Sequence, residues 1–309
     1  MSSSNGDWSA RPCLVNGELM PLGAARVSPL DRGFLFGDGV YEALPVYDRK
    51  LFRIDDHLAR LERNLAKLRI DNPHTRAEWV ALVRKLVAGL AVAEGAGDQL
   101  VYLQVTRGTP LPSMSARDHV MTQGIAPTVF MMVHPLKAPT AQQRHEGVAC
   151  VSARDFRWER GDLKTTALLG NVLARQISAD EGAVETILLR DGPGGGKYLT
   201  EASASNVWIV KDGALIGPPK SEHLLEGIRV ELLRELCEEE GIAYALRPVP
   251  ESDLRTADEV LLSSATKEVL PVTRLDGEPV GHGARRGKPG PVGLRLLAAY
   301  QRAKAEQSV

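Results

Sequence analysis

The sequence predicts an α+β protein built from two domains. Its 309 residues exceed one typical domain. Apolar runs of strand period and of helical period both recur, but not in the βαβα alternation of a doubly wound sheet. Between the halves lies HPLKAPTAQQRHEG, His134–Gly147, rich in proline and polar residues as connecting segments are. The division gives an N-terminal α+β domain over 1–134, a linker over 135–147 and a β-rich C-terminal domain over 148–309.

The elements follow in order. PCLVNGELMPL reads as a hairpin turning at Asn16-Gly17, and GVYEALPVYDRKLFRI as two strands joined at Asp48–Lys50. Asp55 is placed to cap a helix whose apolar stripe is Leu58, Leu61, Leu65 and Leu68. Thr75 with Glu78 makes a capping box for a second helix that buries Trp79, Val80, Val83, Leu86, Val87 and Leu90. Strands QLVYLQVTRG and PTVFMMVHP flank a polar loop, Thr109–Gly124. In the second half, GVACVSARDFRW precedes a helix. VETILLRD, KYLTEASASNVWIVKDG and ALIGPP then form a β-meander with the glycine run Gly192–Gly196 at its first turn. A helix over about Ile228–Glu240 stops at Gly241. Two strands surround a Ser/Thr turn in DEVLLSSATKEVLPVTRLDG, and PVGLRLLAAYQRAK closes the chain as a helix.

Hydrophobic residues make up 43% and charged residues 25%, ordinary for a soluble globular protein. A formal net charge of −1 argues against a sequence-independent grip on nucleic acid or on an acidic membrane. No apolar run is long enough to span a bilayer. The start, MSSSNGDWSARP, lacks a basic region and an apolar core, so it reads as frayed chain rather than a signal peptide. Cys13, Cys150 and Cys237 are too scattered for a disulfide framework and have no metal-ligand spacing. Cys237 falls on the apolar face of its helix. The simplest compartment is a reducing cytoplasm.

Lys164 poses the functional question. Thr165 and Thr166 can cap a helix, and Leu168, Leu169, Val172, Leu173 and Ile177 recur on one face of it. The lysine would then sit at the positive end of a helix dipole, where cations are disfavoured. It is either an exposed loop residue or an amine held as a nucleophile for a Schiff base. A pyridoxal phosphate enzyme needs such a lysine, a carboxylate beside the pyridine nitrogen, and an arginine with backbone N–H groups for the phosphate. Lys164, Glu201 and Arg60 are candidates, while a solvated strand glutamate and an outer-face helix arginine are the plain alternatives.

DRGFLFGDGVYE (Asp31–Glu42), LKTTALLGNVLARQ (Leu163–Gln176), TEASASNVW (Thr200–Trp208), LEGIR (Leu225–Arg229) and SSATKEVLPV (Ser263–Val272) occur in this order. Together they resemble the fold-type IV pyridoxal phosphate enzymes, the aminotransferase class IV family, and most of all its D-amino-acid aminotransferases. The resemblance runs from about Leu14 to the final helix. It implies a smaller N-terminal α/β domain and a larger, β-barrel-like C-terminal domain carrying the cofactor lysine. It implies pyridoxal 5'-phosphate held by Lys164, with Glu201 at the pyridine nitrogen and Arg60 at the phosphate. The amides of Ile228 and Arg229, and the turn Ser264, Ala265 and Thr266, are implied on the phosphate side. Relatives often carry threonine where this chain has Arg229, and Ala265 has no hydroxyl. Arg157 is read either as positioning Glu201 or the ring oxygen, or as structural; His57 and His134 have no nameable partner.

For the substrate, the resemblance implies that Tyr41, Arg117 and His119 hold the α-carboxylate, although TPLPSMS lengthens the loop before that pair. It also implies that the loop reaches a neighbouring subunit, hence a homodimer. The activity implied is ping-pong transfer of an amino group from a D-amino acid such as D-alanine to a 2-oxo acid such as 2-oxoglutarate. Alternatives on the same scaffold are a branched-chain L-amino-acid transaminase and a 4-amino-4-deoxychorismate lyase.

Overall fold

The computed structural model describes residues 8–94, 97–121, 123–192 and 195–309. Residues 1–7, expected to be frayed, and 193–194 of the glycine run lie outside them. The chain forms two compact units: Met1–Leu136, Leu163–Leu168 and Gln307–Val309 make one, Lys137–Asp162 and Leu169–Glu306 the other.

In the first unit, β1 (Pro12–Val15) and β2 (Glu18–Pro21) form the expected hairpin. Asn16 and Gly17 both take positive φ, 50° and 84°, as a two-residue turn between twisted strands requires. A short helix, α1 (Arg32–Phe36), is capped by the Asp31 side chain and stopped by Gly37 at φ 66°. β3 (Gly39–Tyr47) turns through Asp48 and Arg49 into β4 (Lys50–Leu51). α2 (Ile54–Lys67) and α3 (Arg76–Glu94) follow, then β5 (Gln99–Thr106) and β6 (Thr128–Pro135). Among the described residues the six strands form one sheet, ordered β2-β1-β6-β5-β3-β4. Leu58, Leu61 and Leu65 of α2 and Trp79, Val83 and Leu86 of α3 share a core with Val40, Leu44, Val101, Leu103 and Met131 of the sheet.

The Thr75–Glu78 capping box is formed in both directions. Asp55 is not the cap expected of it. The left-handed turn at Arg53, φ 53°, starts α2 two residues earlier and places Asp55 inside the first turn, while Asp56 accepts from Arg53 Nε at 2.6 Å. The chain's last residues return to this unit, where Leu51 and Val309 exchange main-chain hydrogen bonds of 2.7 and 3.1 Å.

The second unit opens with α4 (Ala141–Glu146), a helix inside the stretch expected to be linker, started by a Thr140–Gln143 capping box. β7 (Val148–Arg154), α5 (Leu169–Asp180), β8 (Glu185–Asp191), β9 (Lys197–Ala202), β10 (Asn206–Lys211) and β11 (Ala214–Gly217) follow. The remainder is α6 (Ile228–Glu239), β12 (Tyr244–Leu246), α7 (Glu251–Arg255), β13 (Glu259–Ser264), β14 (Glu268–Leu275), β15 (Glu278–Pro279) and α8 (Pro291–Glu306). Among the described residues the sheet runs β12-β11-β10-β13-β14-β7-β8-β9, with β15 on β14.

That order corrects the expected meander. β9 pairs with β8, whereas β10 pairs with β11 and β13. KYLTEASASNVWIV reads as one continuous strand, but Ser203 and Ser205 break it by turning their hydroxyls onto the buried Glu185 carboxylate. The short link joins the edge strand β9 to β10, third from the other edge, so the sheet curls on itself. The helix after Lys164 also starts later than expected, at Leu169. Its buried residues are Ala174 and Ser178, while Leu169, Val172 and Leu173 are 71%, 59% and 52% exposed. Cys237 is fully buried, as its place on α6 implies.

The β13–β14 turn closes at Glu268, which holds φ 57°. Its buried carboxylate accepts from Arg144 Nη2 at 2.9 Å and Gln301 Nε2 at 3.0 Å, and pairs with Lys304. Removing it leaves cations facing a cavity and an L-residue in a left-handed conformation. Glu268→Ala is expected to cost about 3 kcal/mol in urea unfolding. Glu268→Gly should lose about 1 kcal/mol less, because glycine takes positive φ freely.

Candidate active site

In the first unit the sequence around Lys164 is held by main chain. Thr165 bridges Val40, Tyr41 N–H donates to the Lys164 carbonyl at 2.9 Å, and Thr166 N–H donates to the Gly39 carbonyl at 3.0 Å. Thr166 Oγ1 donates to the Gly37 carbonyl at 3.0 Å. The two threonines therefore extend the pairing of β3 instead of capping a helix, and Lys164 lies ahead of α5 rather than at its N-terminus. The ammonium Nζ sits 4.1 Å from the centroid of the Tyr41 ring, a cation–π contact. Tyr41 in turn stacks on Tyr102 with centroids 5.5 Å apart. Burial, helped by Tyr41, pushes the Tyr102 hydroxyl up to about 12.

Alternation along β3 turns Glu42 to the opposite face from Tyr41. There Arg60 Nε and Nη2 each donate to its carboxylate at 2.8 Å, and His57 Nδ1 lies 2.7 Å from Oε2. Burial opposes the charge on Glu42, but Arg60 and His57 outweigh it and hold the carboxyl well below the usual range. Glu42 is the partner that His57 lacked in the sequence. Arg60, read from the sequence as a helix arginine or a phosphate ligand, is buried in this cluster.

A second cluster centres on Asp38. Its Oδ2 accepts from Arg32 Nε and Arg107 Nε, both at 2.8 Å, and Oδ1 accepts from Arg107 Nη2 at 3.1 Å. Burial opposes this charge too, and the two guanidiniums lower its pKa nonetheless. Beyond it, Arg117 and His119 are exposed on the extended loop yet close together. The Phe36 ring has the Arg117 guanidinium 5.8 Å and the His119 ring 5.0 Å from its centre. Arg32, Phe36, Asp38 and Arg107 were missed in the sequence, although all but Arg107 lie in DRGFLFGDGVYE; their signal was an uncommon density of charge and glycine around two phenylalanines.

In the second unit, Glu201 on β9 is buried and bonded to Arg157 Nη1, and its Oε2 accepts from Leu225 N–H at 3.1 Å. Asp155 grips Arg157 from behind with Nε–Oδ1 and Nη2–Oδ2 contacts of 3.0 Å, and Thr200 Oγ1 donates to Asp155 at 2.8 Å. Of the two sequence readings of Arg157, positioning Glu201 is the one this geometry shows. Burial raises the Glu201 carboxyl, and Arg157 only partly offsets it. Arg157 itself is raised: its two carboxylates outweigh its own burial.

Leu225 leads into α6, whose first residues Ile228 and Arg229 follow the cap Gly227; no side chain caps this end. Glycine is required at 227 because a Cβ there would lie 2.1 Å from Asn206 Oδ1, which belongs to the amide that binds the Leu225 carbonyl. The Arg229 side chain is buried and donates to Tyr300 Oη at 3.1 and 3.3 Å. Ser264, Ala265 and Thr266 form the half-buried β13–β14 turn, in which Ser264 Oγ accepts from Lys267 N–H at 3.1 Å.

The donor set fits pyridoxal phosphate. It offers an amine on a fixed backbone, a buried carboxyl raised by its surroundings and so suited to a cationic ring nitrogen, and an uncapped helix start for an anion. The residues fall into two groups, Lys164, Tyr41, Arg60, Arg117 and His119 on the first unit and Glu201, Ile228, Arg229, Ser264, Ala265 and Thr266 on the second.

The lowered pKa of Glu42 has a definite sign. Its contribution to stability is complete above the unfolded glutamate value of about 4.3 and is lost as pH falls from there toward the depressed folded value. Melting temperatures of wild type and Glu42→Gln, measured from pH 7 to pH 3, should differ by a constant amount down to about pH 5 and then draw closer as the pH falls through about 4.3.

Residues 39–275 match the family model Amino-transferase class IV. The D-alanine aminotransferase of Bacillus licheniformis is 37% identical over 93% of this chain and 95% of its own length. That of Staphylococcus haemolyticus is 34% identical over 93% and 96%. Among solved structures, a branched-chain aminotransferase from Thermoproteus uzoniensis superposes with a TM-score of 0.81 over 96% of both chains, but at 23% identity this likeness shows the fold alone. A fold IV transaminase from Curtobacterium pusillum, 25% identical, superposes at 0.74 over 91% of this chain and 93% of its own. With the lysine clasped on β3, the buried glutamate on β9 and these relatives spanning nearly its whole length, the chain belongs to the class IV aminotransferases.

Proposed function

We propose that the protein is a pyridoxal-phosphate-dependent D-amino-acid transaminase, which moves the amino group of a donor such as D-alanine to a 2-oxo acid such as 2-oxoglutarate. The observation that carries this reading is the clasp of Lys164 on β3 with Nζ over the Tyr41 ring. Lys164, Glu201, Arg60, the amides of Ile228 and Arg229, and the turn Ser264, Ala265 and Thr266 hold the cofactor. Bound there, it supplies a conjugated ring that takes up the electron pair left at the substrate's Cα.

The protein's part is positioning and proton handling. Lys164 Nζ takes the proton from the substrate's Cα, its reach set by a backbone that cannot swing away from β3. Glu201 keeps a carboxyl oxygen for the ring nitrogen, braced by Arg157 and the Leu225 amide. Tyr41, with the Arg117 and His119 pair, binds the α-carboxylate: a phenol and two nitrogen donors match a carboxylate's two oxygens. This pair favours the D-amino-acid reading over the branched-chain one, which keeps Lys164, Glu201 and Arg60 but does not need it.

The working form is a homodimer in the cytoplasm. Exposed apolar side chains support assembly: Leu169, Val172 and Leu173 on α5, and Phe34 and Val120, 76% and 64% exposed, in the first unit. Three buried free thiols suit a reducing compartment, and no helix among the described residues is long and apolar enough to cross a membrane.

A half-reaction tests the activity. Adding D-alanine alone to the cofactor-loaded protein should abolish the visible band of the lysine-linked cofactor, and L-leucine should leave it. Conversion by L-leucine only would move the protein to the branched-chain class. Lys164→Ala should fold with an unchanged melting profile and lose turnover; an active variant refutes the scheme.

A further inference from the structure

We infer that Arg32 and Phe36 are positioning residues that set the Arg117 and His119 pair for the substrate carboxylate; this rests on the reading of that pair as the carboxylate trap. Three hydrogen bonds within the extended loop are local: Met114 N–H to the Leu111 carbonyl, Asp118 N–H to the Ser115 carbonyl, Val120 N–H to the Asp118 carboxylate. Such turns do not fix where a loop stands on the protein body.

A tie to the body is made at Asp118, the residue between the pair. Its carbonyl accepts a hydrogen bond from Arg32 Nη1. Arg32 is 3% exposed and has little freedom, because its Nε is bound to Asp38. Asp38 is bound in turn by Arg107, whose Nη1 and Nη2 donate to the carbonyls of Arg69 and Leu68 at 3.0 and 2.7 Å, just past α2. A continuous chain of charged hydrogen bonds thus runs from the end of α2 to the carbonyl at the centre of the trap.

Phe36 fixes the side chains as Arg32 fixes the backbone. Arg32 lies over its ring at 4.9 Å, and Arg117 and His119 contact the same ring. A ring contact uses no N–H donor, so the Arg117 guanidinium keeps its planar fork for a carboxylate. The sequence insertion before the pair is therefore tolerated: the body, not the loop's length, sets the pair's place.

The test compares Arg117→Ala, Arg32→Met, Arg32→Lys and Phe36→Leu in the cofactor-loaded enzyme. Arg117→Ala should raise KM for D-alanine and for 2-oxoglutarate about tenfold or more, the loss of a charged hydrogen bond. Arg32→Met and Phe36→Leu should raise both KM values about three- to tenfold with kcat within about twofold, as loss of uniform binding does. Arg32→Lys should fall between, since one ammonium lacks the fork that serves Asp38 and Asp118 together. In the cofactor-free protein, trypsin should cut after Arg117 faster in Arg32→Met and Phe36→Leu than in wild type. If Arg32→Met does not fold, the half-buried Phe36→Leu carries the test. Unchanged KM and cleavage in these variants, with KM raised in Arg117→Ala, overturns the inference and leaves the trap standing. Unchanged KM in Arg117→Ala overturns both.

Discussion

The chemistry of the first unit depends on the main-chain pairing of the Lys164 segment with the start of β3. A lysine on an ordinary loop brings about 2 kcal/mol of side-chain entropy and an uncertain origin for its stem. Here the origin is fixed by groups that every residue has: the Lys164 carbonyl accepts from Tyr41, and Thr166 donates to Gly39. Gly37 contributes by its size as well as its left-handed φ, because a Cβ there would approach Ala167 Cα to 3.0 Å. Gly37 thus admits the lysine's segment to the strand, and the Tyr41 ring, itself stacked on Tyr102, gives the lysine Nζ a surface to lie on.

The buried carboxylates differ in how fully their charge is compensated. Glu42 and Asp38 each accept from two basic side chains, and both carboxyls are held below their ordinary values against the cost of burial. Glu201 is different. It shares its arginine with Asp155, which takes that guanidinium in a fork, and its pKa is raised. The same residue types give opposite results because compensation is complete in the first cases and incomplete in the last. A carboxylate left short of positive charge is destabilised alone and stabilised by a cation brought beside it, which is what a protonated ring nitrogen provides.

Most of the fold was legible in the sequence because its signals are local. The Asn16-Gly17 hairpin, the Thr75–Glu78 box, the stripe Leu58, Leu61 and Leu65, and buried Cys237 all rest on spacing within a few residues. Non-local contacts were not legible. Thr165 and Thr166 have the chemistry of helix caps, but β3 takes them as strand partners and α5 begins later. The break between β9 and β10 depends on Glu185, distant in sequence from the serines that bind it. The candidate site was read through words more than through physics: the resemblance pointed to Lys164 and Glu201, while the residues packed around them or the loop, Arg107 above all, carry no meaning until the chain folds.

The register of β3 decides which of its side chains meet which neighbours. Along β3, Tyr41 faces the lysine side and Glu42 the Arg60 and His57 side. Sliding β3 by one residue against its neighbour would exchange these faces, burying a phenol among cations and leaving a carboxylate against the Lys164 ring contact. The slip is opposed along the full length of the strand, from Gly39 opposite Thr106 to Val46 opposite Gln99. It is opposed again at the far end, where the β4 hairpin closes through two left-handed residues that have no alternative register without unpairing. The long antiparallel ladder is thus the means by which a tyrosine and a glutamate, adjacent in sequence, are assigned to separate environments.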